Sequence, residues 1–410
     1  MQQRSALAAA GKEFRTHNIS QTVQKIVISP IKEMSILADR AQEDSAIPIR
    51  SFGQGIPHFD TPDHIKEAIT RALQEVDTAK YTLEPGINEL RMLIAEHLKR
   101  DKQVQSANDT SEVMVTVGCQ EAVACALRSI IDPGDEVIIP SPGFASYYEQ
   151  VVQFSGTPVF APLDEDNSWS WNRAALEKSI TPKTRAILFS NPSNPVGVVH
   201  SREELEMLVR LAQEHDLMII SDETYDFLTY DGVEHISLGS FPRAKDRVIV
   251  CGSFSKKYAM TGYRVGYAFS DQGVIDHMLK VHDALAICAP AISQKAAIQA
   301  LTGPQDNVHN FVKGFTSNRA VVMQELDTLS EVFSYSVPKG AYYIFVKYTL
   351  ANINSFDLAL RLLNEARVVV IPGGAFGPTG EGHLRFSFAG HPDYIHEGFE
   401  RIRAWIKNNQ

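Results

Sequence analysis

SFSKKYAMTGYR, from Ser253 to Arg264, packs two serines, a threonine, two adjacent lysines and an arginine into one short stretch. Directly upstream, DRVIVCG (Asp246–Gly252) is apolar, β-branched and closed by glycine, the pattern of a short buried strand. Cations and hydroxyls are thus expected at the carboxyl end of a strand, where open α/β sheets place their ligands. Lys256 and Lys257 cannot both be assumed to serve the same end.

Working outward, further apolar runs begin at Val113 (VMVTV), Glu136 (EVII), Arg185 (RAILF) and Leu217 (LMII). Near-continuous apolarity predicts strands covered on both faces, and hence a mostly parallel sheet. Each run leads into polar residues: GCQEA from Gly118, PSPGF ending at Phe144, NPSNPVG from Asn191 and SDETY from Ser221. In a parallel sheet these turns and the opening cluster converge on one edge and make a single site. Helical periodicity marks Glu89–Leu98 and Ser201–Ala212, the latter with Ser201 and Glu204 spaced as a capping box. A long helix is expected over Asn307–Ser330. Beyond it, VPKGAYYIFV from Val337, RVVVI from Arg367 and LRFSF from Leu384 read as strands of a second, smaller α+β unit. The expected organisation is α/β, with a large domain over 62–304, a small one from 29–61 plus 305–410, and an N-terminal extension over 1–28.

The 410 residues suffice for such a pair of domains, and 44% hydrophobic with 21% charged residues is ordinary globular composition. A net charge of −10 argues against a nucleic-acid binder, which needs clustered Lys and Arg. No apolar run approaches the roughly 18 residues of a membrane span. Four scattered cysteines form no CxxC motif and no disulfide framework, which fits a reduced, cytoplasmic setting, and no metal site is expected. The first stretch, MQQRSALAAAGKEFRTHN, reads as a flexible arm, with a transit peptide as the alternative.

Taken singly, the polar residues have plain structural readings. Asp222, after an apolar run, needs a cationic partner if buried, or serves as a helix N-cap. Either lysine reads as a surface lysine, and Arg264 as half of a surface ion pair. Tyr342, Tyr343 and Phe59 read as core or as the wall of a site for a bulky apolar substrate.

Their order along the chain is more specific. From about Lys25 onward the chain resembles the pyridoxal-phosphate enzymes of aminotransferase fold type I, class I/II, a group that includes aspartate, aromatic and kynurenine aminotransferases. The resemblance is carried by YTLEPG from Tyr81, GCQ from Gly118, NPSNPVG from Asn191, SDETY from Ser221, SFSK from Ser253 with Arg264, and LRFSF from Leu384. It implies a large domain with a mostly parallel seven-stranded sheet between helices, and a smaller α+β domain. The family places its reactive lysine in S-x-x-K with an arginine eight positions later. Lys256 meets both spacings and Lys257 neither, so the resemblance implies that Lys256 holds pyridoxal 5'-phosphate as a Schiff base. By the same likeness, Arg264, Ser253, the amides of Gly118 and Cys119, and Gln120 hold the phosphate. Asp222 faces the pyridine nitrogen, Asn194 and Tyr225 the ring's 3-oxygen, and Phe144 the ring face. Lys256, Asp222 and Tyr225 are the implied catalytic groups.

Arg385 resembles the arginine that binds the substrate's α-carboxylate, and Gly55, in SFGQGIPHFDTP (Ser51–Pro62), together with Asn194 would line the substrate site. The tyrosine matching Tyr81 reaches the neighbouring subunit's cofactor in this family, which implies a homodimer. Three positions depart from the pattern. Val196 stands where Thr is usual and Tyr263 where Trp is common. Gln120 stands where some aspartate-using relatives have a lysine, which argues against an acidic substrate unless a partner-chain arginine replaces it. The implied activity is transfer of an α-amino group from an L-amino acid to a 2-oxo acid. The alternatives are a C–S β-lyase, or an amino-acid oxidase or cyclase, on the same fold. A transcription regulator reusing the fold would need an added DNA-binding domain.

Overall fold

The computed structural model describes residues 19–26, 28–105, 107 and 109–409. Of the expected extension over 1–28, residues 1–18 and 27 lie outside this range, and Gln21–Lys25 forms a short helix. The strands are β1 (Arg50–Ser51), β2 (Val113–Thr116), β3 (Glu136–Ser141), β4 (Thr157–Asp164), β5 (Ser170–Trp171), β6 (Thr184–Ser190), β7 (Met218–Asp222), β8 (Val248–Ser253), β9 (Gly266–Phe269), β10 (Phe333–Tyr335), β11 (Tyr343–Tyr348), β12 (Val368–Val369), β13 (Ile371–Pro372) and β14 (His383–Ser387).

One sheet runs in the order β2-β9-β8-β7-β6-β3-β4-β5. From β8 to β4 every neighbouring pair is parallel, while β9 is antiparallel to both β8 and β2. The expected seven strands are present, and the two-residue β5 adds an eighth at the edge. Both faces are buried, as continuous apolarity requires. Val113, Val115, Ile187, Ile219, Val248 and Val250 join one core cluster. The alternate residues Met114, Ala186, Leu188, Ile220, Ile249 and Cys251 join the other. This period of two within an unbroken apolar run is what puts helices on each side of the sheet.

A second, antiparallel sheet runs β10-β11-β14-β13. The run RVVVI is divided between two sheets: β12 pairs with β1, and β13 with β14. Arg367, in the left-handed region at φ 60°, opens the segment. The β1–β12 pairing joins Arg50 and Ser51 to Val368 and Val369. The long helix spans Asp306–Asp327, and the predicted capping box at Ser201 and Glu204 is formed in both directions. Sequence reading overlooked β1, β4, β5, β9 and β10. β9 opens with glycine, and β10 is only three residues long, so neither stands out as an apolar run. Among the described residues no helix is long and apolar enough to cross a membrane.

Candidate active site

The turns after β2, β3, β6, β7 and β8 do converge, on one cavity of about 280 Å³. They contribute Cys119 and Gln120, Phe144, Asn194, Asp222 and Tyr225, and Ser253, Lys256 and Arg264. Gly55, Tyr343 and Arg385 close it from outside the large sheet. Gly118 stands immediately behind the wall as N-cap of the Cys119–Ile130 helix. Tyr81 is not part of it and is 77% exposed on this chain. Of the aromatic residues with two readings, Phe59 stacks on Phe311 in the core and Tyr343 lines the cavity.

Lys256 projects into the cavity, where its Nζ donates to the carbonyl of Gly55 at 2.5 Å. Burial, with the cations of Arg264 and Arg385, lowers its pKa to about 8, against the pull of Asp222. Lys257 instead lies over the ring of Tyr258, 5.7 Å from its centroid, and does not line the cavity. The two lysines therefore have separate environments. Because both neighbouring arginines disfavour the ammonium form, the free amine accumulates as pH rises through about 8. In cofactor-free protein, acylation at Lys256 followed by peptide mass spectrometry should accelerate through that pH. A rise only above about pH 10, the usual lysine range, would contradict the assignment.

Asp222 ends β7 and is 9% exposed. Oδ2 accepts the Tyr147 hydroxyl at 2.9 Å, and Oδ1 accepts the Thr224 amide at 3.0 Å and the Cys119 thiol at 3.3 Å. Three donors from three elements hold the carboxylate in one orientation beside the cavity. Sequence reading missed Tyr147. It lies three residues after Phe144 on the helix Ala145–Gln153, where the sequence pattern does not set it apart from a core tyrosine.

On the opposite wall, buried Tyr225 and Tyr343 share a hydroxyl–hydroxyl bond of 2.9 Å. Burial, reinforced by Tyr343, pushes the Tyr225 hydroxyl well above its ordinary pKa, so it stays a neutral donor. Arg385, 2% exposed, donates to Asn194 Oδ1 at 3.0 Å and to the Gly53 carbonyl at 2.6 Å. Its guanidinium lies between the rings of Tyr343 and Phe376, at 4.3 and 5.0 Å from their centroids. Its Nε is buried and has no hydrogen-bond partner.

At the remaining end, Arg264 donates to the carbonyls of Thr261 and Val117. A Cβ at Gly118 would come within 2.5 Å of its Nη2, and Gly118 sits at φ +81°, so glycine is required on both counts. Gly55 is constrained by space alone, since a Cβ there would meet the Tyr343 hydroxyl at 2.0 Å. A helix N-terminus, an arginine and Ser253 thus gather at one end, an amine stands between, and an oriented carboxylate faces them. This donor set fits a flat aromatic aldehyde carrying a phosphate.

Comparison with known proteins agrees with that chemistry. The family model described as aminotransferase class I and II matches residues 48–402. The chain is 36% identical to the aromatic-amino-acid aminotransferase 2 of Thermococcus litoralis, over 88% of this chain and 92% of that one. It is also 36% identical to an aspartate aminotransferase of Pyrococcus abyssi, with the same coverage of each chain. The solved structure of the Thermus thermophilus aspartate aminotransferase with maleate superposes with a TM-score of 0.88 at 33% identity, covering 94% of this chain and 98% of that one.

Proposed function

The chain belongs to the class I and II aminotransferases, pyridoxal-phosphate enzymes that exchange an amino group between an amino acid and a 2-oxo acid, and we propose how its own residues divide that work. The observation that carries the proposal is a lysine amine with a lowered pKa sharing one cavity with Asp222, Arg264 and Arg385. When bound, pyridoxal 5'-phosphate supplies a carbonyl for that amine and a ring that takes up the electron pair left by the substrate's α-proton.

Arg264, Ser253, Gln120 and the amides at Gly118 and Cys119 hold the phosphate. Asp222 would accept from the protonated ring nitrogen, which requires the carboxylate to be aimed, and its three donors fix that aim. Tyr225 and Asn194 donate to the ring's 3-oxygen, and Phe144 covers the ring face. Arg385 receives the substrate α-carboxylate, with Asn194 and Gly55 completing that wall. A forked, permanently charged donor suits a carboxylate. Lys256 Nζ, whose pKa of about 8 leaves a fraction of free amine near neutral pH, takes the proton from the substrate α-carbon and returns it as an ammonium.

One exposed segment implies a second chain. Leu73, Val76, Tyr81 and Leu83 are all exposed large apolar side chains within one short segment, a patch that calls for a cover. We propose a homodimer in which this segment is buried and Tyr81 reaches the neighbouring site. Sedimentation of the purified chain should give a dimer, and a monomer at micromolar concentration would overturn this. Residues 62–304 would form the large domain, and 29–61 with 305–410 the small one. All four cysteines are free, which suits a cytoplasmic location that cell fractionation would test.

The decisive experiment titrates the pyridoxal-phosphate-loaded protein with single amino acids and no oxo acid. One equivalent of the proper donor should convert the bound cofactor stoichiometrically to its amine form and release one equivalent of 2-oxo acid. Many turnovers without an acceptor would point instead to a lyase or an oxidase.

A further inference from the structure

The phosphate end of the cavity is built on the turn Val117–Gly118, and that turn is gripped from outside the cavity. Glu121, in the first turn of the Cys119–Ile130 helix, accepts the Val117 amide on Oε2 at 2.5 Å. Its Oε1 meets Nδ1 of His282 at 3.0 Å. His282 is fully buried on the Gln272–Ala286 helix, so the carboxylate ties that helix to the turn. The Val117 carbonyl accepts from Arg264 at 3.3 Å, and the Gly118 carbonyl accepts from the Thr116 hydroxyl at 3.0 Å. Three backbone groups of the turn, the Val117 amide and the Val117 and Gly118 carbonyls, are therefore held by Glu121, Arg264 and Thr116.

A carboxylate so near a phosphate site is electrostatically unfavourable unless it does something else. Glu121 is directed to the side of the turn where His282 lies. Cys125 joins the two, with the candidate ligand atoms within 4.8 Å of one another. Both carboxylate oxygens are already engaged by the Val117 amide and the imidazole, which makes the group a clasp rather than a cation site.

We propose that Glu121, oriented by His282, is a positioning residue that aims the helix N-terminus and Arg264 at the cofactor's phosphate. The inference rests on the reading of this end of the cavity as the phosphate site. A role confined to joining two helices would affect all ligands alike, whereas a role in aiming the cradle acts on the phosphate alone.

The test measures dissociation constants of full-length, cofactor-stripped protein for pyridoxal 5'-phosphate and for pyridoxal, which lacks the phosphate. Glu121→Ala should weaken the phosphorylated ligand by roughly tenfold, the scale of one lost charge-assisted hydrogen bond, and leave pyridoxal within about twofold. Glu121→Gln, whose amide oxygen can still accept the Val117 N–H, should restore most of the difference. Should Glu121→Ala fail to fold, His282→Asn offers the same comparison with the carboxylate kept but no longer oriented. Equal losses for both ligands, or no loss for either, would overturn the proposal. If the unaltered protein itself shows no preference for the phosphorylated ligand, the reading of the cradle fails first.

Discussion

Lys256→Ala should lower kcat for amino transfer by at least about 10³-fold, because it removes both the amine that engages the cofactor's carbonyl and the base that moves the α-proton. The cradle around Arg264 is untouched by the change, so the cofactor should still bind, more weakly, and without the absorption band of the lysine-linked form. Lys257→Ala provides the comparison. That lysine lies over Tyr258 outside the cavity, so the band should persist. A Lys256→Ala protein that kept both the band and the activity, or a Lys257→Ala protein that lost the band, would remove Lys256 from its role. Direct measurement needs only absorbance and steady-state rates on protein of unchanged circular dichroism.

Lys102→Met should destabilise the protein by about 3–5 kcal/mol, the usual result of leaving buried charge without its partner. The Lys102 side chain is 3% exposed, and its ammonium meets Glu223 at 3.0 Å and Asp226 at 2.6 Å. Burial works against its charge, yet Asp226 and Glu223 outweigh that and hold the amine well above its ordinary pKa. The same contact keeps Asp226 below the usual carboxylate range despite burial. Removing the cation strands both carboxylates. Glu223 also accepts from Ser221, Ser237 and the Leu238 amide, and it directly follows Asp222. The loss therefore falls on the segment that carries both Asp222 and Tyr225. Urea unfolding would read the change, and a shift below about 1 kcal/mol would show that water or a rearranged neighbour compensates.

Much of the site was legible because parallel sheets turn a linear pattern into a place. An apolar run ending in a polar turn, repeated along the chain, is enough to predict that Asn194, Asp222 and Lys256 meet. The spacing S-x-x-K with Arg264 separated Lys256 from Lys257, and the two side chains do lie in different surroundings. The capping box at Ser201 was equally readable, since its partners are three residues apart. Tyr147 was not, although it makes the shorter of the two side-chain contacts to Asp222. Nothing in the helix pattern distinguishes a tyrosine facing a carboxylate from one facing the core.

The sequence by itself therefore determined the α/β order and the polar strand ends, which depend on near neighbours and periodicity. Tertiary structure alone decided which groups complete them. The Gly55 carbonyl on Lys256, Asn194 on Arg385, Lys102 between Glu223 and Asp226, and His282 on Glu121 each join residues more than a hundred positions apart. Local propensity carries no record of such pairs. They form because folding removes each polar group from water, and a buried donor or acceptor then settles only where a partner is within reach.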